Sequence, residues 1–206
     1  MKNRLYDFLS VNNILYEYQF GFRKNRSTNL ALLDVVSDIY NNLDNKKYGI
    51  GIYLDLQKAF DTVNHKILLH KLNHYGIRGQ ANEWFTSYLT NRSQYTHTNG
   101  VSSSQSTVEC GVPQGSVLGP LLLILYVNDI NNALDNGIPK LFADDANLFF
   151  FNRDINTLFS EANYELSLLG DWLLANKLSL SIGHNKDTNG YGFFHRIKFL
   201  NRIYQY

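Results

Sequence analysis

One cysteine, Cys110, stands alone among 206 residues, so an intramolecular disulfide is excluded and a reducing compartment is the expectation. Charge of one sign is missing too. Nineteen Lys and Arg against 18 Asp and Glu leave a formal net charge of +1. Composition therefore announces no nucleic-acid or membrane partner, and any such function has to rest on a site. No apolar run reaches the roughly 18 residues of a membrane span. The start, Met1-Lys2-Asn3-Arg4-Leu5-Tyr6-Asp7, lacks the apolar centre of a signal peptide. There is no internal repeat and no low-complexity tract. These absences predict an intracellular chain, nuclear or cytoplasmic, neither secreted nor membrane-bound. What is present is 44% hydrophobic and 14% aromatic residues, enough to bury the core of one sizeable domain or two small ones.

Periodicity predicts a short helix over Leu5 to Leu15, then an aromatic and basic loop from Tyr18 to Arg26. Ser27 or Thr28 caps a helix carrying Leu30, Leu33, Val36, Ile39 and Leu43 at helical spacing. Tyr48 to Leu56 alternates: Tyr48, Ile50, Ile52, Leu54 and Leu56 share one face, while Gly49, Gly51, Tyr53 and Asp55 share the other. Asp55 thus projects away from the core, beside glycines that leave room for a bulky group. Helices follow over about Val63 to Tyr75, stopped by Gly76, and about Gln80 to Leu89. Tyr95 to Thr98, Asn99-Gly100 and Ser106 to Glu109 predict a polar hairpin. Gly111 to Ser116 is a loop opening an apolar helix over Leu118 to Ile130. A long amphipathic helix carries Ile155, Leu158, Phe159, Ala162, Leu166, Leu169 and Leu173, and Lys177 to Ile182 is the last expected strand. Beyond Gly183 the pattern dissolves.

The stretch that organises the rest is Leu141-Phe142-Ala143-Asp144-Asp145-Ala146-Asn147-Leu148, a tight hairpin with acid at its tip. A turn accounts for one Asp readily. Two adjacent ones repel each other, and Asn-Gly or Asp-Gly makes the cheaper turn. From Tyr48 onward, setting aside about 62–110, the order is strand, helix, hairpin, helix, strand. That order predicts an α+β fold, the split βαββαβ arrangement, with an antiparallel sheet and helices on one face. There the first strand and the hairpin are neighbours, so Asp55, Asp144 and Asp145 meet on the open face. Three carboxylates cannot all ionise cheaply side by side unless a cation neutralises them. All are hard oxygen donors with no His or Cys among them, which favours Mg²⁺ or Mn²⁺ over Zn²⁺. Two such ions roughly 4 Å apart clamp the attacking and leaving oxygens of an in-line phosphoryl displacement.

Tyr53-Leu54-Asp55-Leu56-Gln57-Lys58-Ala59-Phe60-Asp61-Thr62-Val63, Gly111-Val112-Pro113-Gln114-Gly115-Ser116-Val117-Leu118-Gly119-Pro120 and Phe142-Ala143-Asp144-Asp145 strongly resemble the first three palm motifs of reverse transcriptases. The Phe-Ala-Asp-Asp form and the Lys-Ala-Phe-Asp run resemble the non-LTR retrotransposon (LINE-like) branch. Gln19-Phe20-Gly21-Phe22-Arg23-Lys24-Asn25-Arg26-Ser27-Thr28 resembles a fingers motif of that branch. The resemblance covers about residues 1 to 182, with four motifs in the right order. It implies a polymerase palm over 48–182 with a fingers-side insertion at about 62–110, partial helical fingers over 1–47, and a degenerate or truncated tail over 183–206. It implies an RNA-directed DNA polymerase, using two Mg²⁺ or Mn²⁺ ions to transfer a nucleotide from dNTP to a DNA primer on an RNA template. Asp55 and Asp144 would be the principal metal ligands, completed by Asp145 and the backbone carbonyl of Leu56. Phe60 matches the steric gate that rejects a 2′-hydroxyl by clash, although core packing is the ordinary role of such a ring. Asp61 belongs to the same pattern, and its acid also suits a helix start. Gln114 and Gly115 match the loop that touches the template base and the incoming nucleotide. Arg23, Lys24 and Arg26 are candidates to neutralise the triphosphate, although a solvated basic loop suits them as well. Phe20 and Phe22 fit either base stacking or the core.

Other features point to a truncated chain. The branch carries a further basic motif upstream of this start, and its fourth palm motif ends in a lysine proposed as proton donor to pyrophosphate. Here Gly183-His184-Asn185-Lys186-Asp187-Thr188 stands instead, and Lys186 is a shifted candidate. The remainder of a retroelement polyprotein is expected to be missing. A competing expectation is therefore a catalytically inactive retroelement remnant that binds RNA or protein only. An RNA-copying RNA polymerase shares the metal cluster but is disfavoured by Phe60.

Overall fold

The computed structural model describes residues 1–181 and the strand Ile197–Phe199. Along the chain run α1 (Lys2–Val11), α2 (Thr28–Asp44), β1 (Tyr48–Asp55), α3 (Ala59–Thr62), α4 (His65–His74), α5 (Gln80–Leu89), β2 (Arg92–Gln94), β3 (His97–Thr98), β4 (Val101–Ser102), β5 (Ser106–Val108), α6 (Gly119–Tyr126), a 3₁₀ turn (Ile130–Ala133), β6 (Lys140–Phe142), β7 (Asp145–Asn152), α7 (Ile155–Ala175) and β8 (Ile197–Phe199). Among the described residues no helix is long and apolar enough to cross a membrane.

Four strands make one antiparallel sheet in the order β6-β7-β1-β8. The alternation in β1 is realised. Ile50, Ile52 and Leu54 lie opposite Phe150, Leu148 and Ala146, all buried, and they form the core with α4, α6 and α7. Tyr126 pins that core, because its hydroxyl donates to the Asn176 carbonyl at 2.5 Å and accepts from the Asn64 N–H at 3.3 Å. Lys71 is a second pin. Its ammonium, though buried, donates to the Tyr126 carbonyl and to Asp129 Oδ1, both at 2.6 Å, and lies over the rings of Tyr126 and Trp172.

The helix expected over about Val63 to Tyr75 is α4, which the Asn64 side chain starts by accepting from the Ile67 N–H. Two expectations need correction. The polar hairpin pairs differently: β3 and β4 close around Asn99-Gly100, while β5 pairs with β2. Asn99 and Gly100 both have positive φ, as a two-residue hairpin turn demands. The strand expected over Lys177 to Ile182 contributes one bridge, Leu56 to Leu180. Its first residues are consumed in ending α7, where Lys177 has φ +53° and the Leu178 N–H bonds the Leu173 carbonyl. The described strand on that side of β1 is β8, from a stretch where periodicity offers no element.

Helices cover more than one face. Lys140 is the register partner of Asn147, itself the partner of Tyr53, so all three stand on the face opposite the Ile52–Leu148 core. From that face the buried Lys140 reaches α2, with Nζ 2.6 Å from Asp34 and 3.0 Å from Asp38, and 3.7 Å from the centre of the Tyr18 ring. No residue of α2 is fully buried, and these ion pairs add to the docking that its half-buried Val35, Val36, Ile39 and Leu43 provide. Burial alone would lower the Lys140 pKa, but hydrogen bonds to Asp34 and Asp38 outweigh it and the pKa ends raised. Lys140→Met is expected to cost about 2 kcal/mol, low for a buried pair because both aspartates can rehydrate. Thermal melting should fall by roughly 6 °C. Because the folded pKa is raised, the contribution is complete below about pH 10 and is lost only as pH climbs through the raised value.

Candidate active site

The carboxylates come together at one end of the sheet. Phe142 of β6 pairs with Asp145 of β7, which leaves Ala143 and Asp144 as a two-residue hairpin connection. Ala143 has φ +60°, the first-position conformation of the turns that suit such hairpins and one where glycine is the ordinary choice. Asp145 then opens β7 directly opposite Asp55, the last residue of β1. Asp55 and Asp145 are exposed and Asp144 is half-buried. Loss of hydration, then the charge of Asp144, then that of Asp55, raise the Asp145 pKa above its ordinary value. The aspartates are thus close enough to repel. They are not closed on one point, for among the described residues no group of three or more His, Cys, Asp or Glu is gathered to hold a metal ion.

Next to them, the amide of Gln57 and the carbonyl of Asp55 bond Ser179 and Ser181. By the alternation of an antiparallel ladder, the Leu56 carbonyl between them turns to the β7 side. Phe60, half-buried in α3, meets the exposed ring of Phe22 edge-on at 6.2 Å. The Gln114 loop is fastened beneath: the Val112 N–H bonds the Phe60 carbonyl at 2.7 Å, and Gln114 Nε2 donates to Asp61 Oδ1 at 3.0 Å. Gly115 has φ +76° with open space where a Cβ would stand. Asp61 therefore holds the loop as well as lying in the first turn of α3. The room expected beside Asp55 at Gly51 is taken by Phe149, whose ring would lie 3.2 Å from a Cβ there.

The basic loop is turned largely on its own surroundings. Arg23 Nη1 donates to the Tyr16 carbonyl at 2.6 Å and, more weakly, toward those of Gln19 and Glu17. Lys24 stands over the Tyr6 ring and 3.9 Å from Asp7, and Arg26 lies over Phe20, which is buried. Lys186 lies outside the described residues. Two residues of the fingers motif to which the sequence assigns no role, Gln19 and Gly21, both lie against Ala143. No periodicity signals this, since the contacts join segments more than a hundred positions apart, 124 for Gln19 and Ala143. Phe22, Lys58 and Ala143 all have positive φ without being Gly or Asn, and strain of this kind clusters at functional sites.

Known proteins are similar to this chain in sequence, and others in fold. Residues 1–186 match the family described as Reverse transcriptase (RNA-dependent DNA polymerase). The probable RNA-directed DNA polymerase from transposon BS of Drosophila melanogaster is 31% identical over 183 residues, 82% of this chain and 19% of that protein. The RNA-directed DNA polymerase from mobile element jockey of the same organism is 37% identical over 128 residues, 62% of this chain and 14% of that one. The chain thus spans about a fifth or less of these relatives' length. Among solved structures, apo telomerase from Candida tropicalis, truncated from its C-terminal domain, superposes with a TM-score of 0.57 at 14% identity, over 96% of this chain and 42% of that one. At that identity the likeness speaks for the fold alone.

Proposed function

The chain belongs to the reverse transcriptase (RNA-dependent DNA polymerase) family, and from that premise we propose that it carries the polymerising site of an RNA-directed DNA polymerase. The observation that carries the reading is the register that sets Asp55 opposite Asp145, with Asp144 in the adjoining turn. The sheet order β6-β7-β1-β8 supports reading the sheet as the palm, since the chain's last described strand lies beside its first.

The donor set suits a hard divalent cation: three carboxylates and a carbonyl, with the Asp145 pKa already raised by loss of hydration and then by the charges of Asp144 and Asp55. Asp55, Asp144, Asp145 and the Leu56 carbonyl would hold Mg²⁺ or Mn²⁺. When bound, such ions lower the pKa of the attacking 3′-hydroxyl and stabilise the leaving pyrophosphate. The chain's other residues orient the reactants. Gly115 gives the template and incoming base close access to the backbone. Gln114 stands at the same loop, steadied by Asp61. The template is RNA, the primer DNA and the incoming nucleotide a dNTP, and most of the affinity for the duplex comes from phosphate contacts and falls with salt. The basic side chains best placed to contribute are Lys24 and Arg26, because Arg23 is occupied by the carbonyls of its own loop.

Phe60, backed edge-on by Phe22, is the wall under the sugar. Phe60→Ala is expected to raise ribonucleotide use relative to deoxynucleotide use by about a hundredfold, the discrimination a bulky apolar wall gives against an added hydroxyl. Single-nucleotide incorporation with paired dNTP and rNTP measures the ratio, and an unchanged ratio removes Phe60 from that role. The function itself is tested by extension of a DNA primer on an RNA template with the purified chain and Mg²⁺ or Mn²⁺. Templated, dNTP-dependent extension is the expected result. RNA retention without any extension would favour a binding module instead.

A further inference from the structure

Gln19 is 1% exposed, yet both ends of its side-chain amide are hydrogen-bonded. The backbone around it runs beside β6 as a parallel bridge to Leu141, with the Leu141 N–H on the Tyr18 carbonyl and the Phe20 N–H on the Leu141 carbonyl, both at 2.8 Å. This brings the side-chain amide to the acidic turn. Gln19 Oε1 accepts from the Ala143 N–H at 3.0 Å and from the Gly21 N–H at 2.8 Å, and Nε2 donates to the Ala143 carbonyl at 3.2 Å. The orientation of the amide is forced, because two N–H donors must meet an oxygen. A single side chain thus grips both polar groups of one residue. That residue has φ +60°, which alanine rarely adopts, and it immediately precedes Asp144 and Asp145. Gly21 completes the mould, since a Cβ there would lie 2.1 Å from the Ala143 nitrogen.

We propose that Gln19 is a positioning residue: by holding Ala143 in the left-handed conformation it fixes the direction in which Asp144 and Asp145 present their carboxylates. The role in catalysis rests on reading that turn as the polymerising site, while the grip on Ala143 does not. Gln19 touches neither carboxylate, and its effect passes through the backbone of the turn. A side chain kept only for packing would be served as well by a residue of equal volume without an amide.

The test uses the full chain and Gln19→Met, which keeps the length and removes all three hydrogen bonds. Amide exchange of Ala143 should be slow in the wild type and fast in the variant, while the backbone-bonded amides of Phe20 and Leu141 stay protected. In primer extension the variant should lose about a hundredfold in kcat, the effect of an ångström-scale misplacement, with the KM for dNTP within about threefold. Adding Ala143→Gly to Gln19→Met should recover about a tenth of the wild-type kcat, because glycine takes positive φ without help. Unchanged Ala143 exchange, unchanged kcat, or no recovery by Ala143→Gly would each overturn the proposal. Should Gln19→Met fail to fold, the scalar coupling across the hydrogen bond between the Ala143 amide nitrogen and Gln19 Cδ in the wild type decides the grip, and its absence overturns it. If the wild type extends no primer, the polymerase reading falls by that result, and the exchange measurement still reads the grip.

Discussion

Asp144→Asn is expected to lower primer extension by about a thousandfold or more while leaving the chain folded. The magnitude follows from the several kcal/mol that a carboxylate-held cation supplies to a phosphoryl transfer, at 1.36 kcal/mol for each factor of ten. The same substitution should slightly stabilise the fold in the absence of divalent ions. The Asp145 pKa is raised by loss of hydration, by Asp144 and by Asp55. A carboxylate whose folded pKa is raised weakens the fold above that pKa, and the penalty is relieved as pH falls toward the unfolded value. Removing the charge of Asp144 removes part of that penalty at neutral pH, so the gain over wild type should be present at pH 7 and shrink toward pH 4. Thermal melts across that pH range, in chelator, measure it beside the extension assay. A variant that keeps its rate, or that melts well below the wild type at pH 7, would contradict the placement of Asp144 and Asp55 beside Asp145 at the end of the sheet.

Much of this site is legible in the order of the residues alone. The alternation of Ile50, Ile52 and Leu54 puts Asp55 on the face away from the core, and the apolar runs flanking Asp144-Asp145 put that pair at a hairpin tip. Both follow from a period of two, which is local. Helix starts are legible for the same reason: Ser27 accepts from the Leu30 N–H at α2 as its position implies. What sequence does not carry is contact between distant segments. Lys140 looks like an interruption in an apolar strand, and only its register beside Asn147 and Tyr53 shows why a cation is buried there with Asp34 and Asp38. The apolar spacing of α2 predicts a buried face, whereas Leu30 and Leu33 stay exposed, Val36, Ile39 and Leu43 are only half-buried, and the acids Asp34 and Asp38 add ion pairs to the docking. Gln57, too, pairs with Ser179 although the strand expected there is mostly the end of α7. Arg23 looks free to bind a triphosphate because carbonyl acceptors leave no mark in a sequence.

Gly21→Ala is expected to be the most damaging glycine-to-alanine change among the described glycines. Its Cβ would stand 2.1 Å from the Ala143 nitrogen and 2.8 Å from the Ala143 Cα. Both are backbone atoms of a turn fixed between two paired strands, so no flexible side-chain end can move aside. The loop has to lift from β6 by more than an ångström, which breaks the 2.8 Å bonds of Tyr18 and Phe20 to Leu141 and the bonds of the Gln19 amide to Ala143. Overpacking against a rigid neighbour together with lost buried hydrogen bonds is worth about 3 kcal/mol or more, roughly 10 °C in the thermal midpoint. Below that midpoint the folded fraction should still extend primers at least about a hundredfold more slowly, because the turn that presents Asp144 and Asp145 has moved. Gly115→Ala separates this from a general intolerance of glycine replacement. Gly115 has φ +76° but nothing within 4 Å of the added carbon, so it loses only the conformational preference, about 1 kcal/mol. Parallel melts of the two variants settle the comparison: equal losses would mean that the loop bearing Gln19 and Gly21 is not seated on the acidic turn.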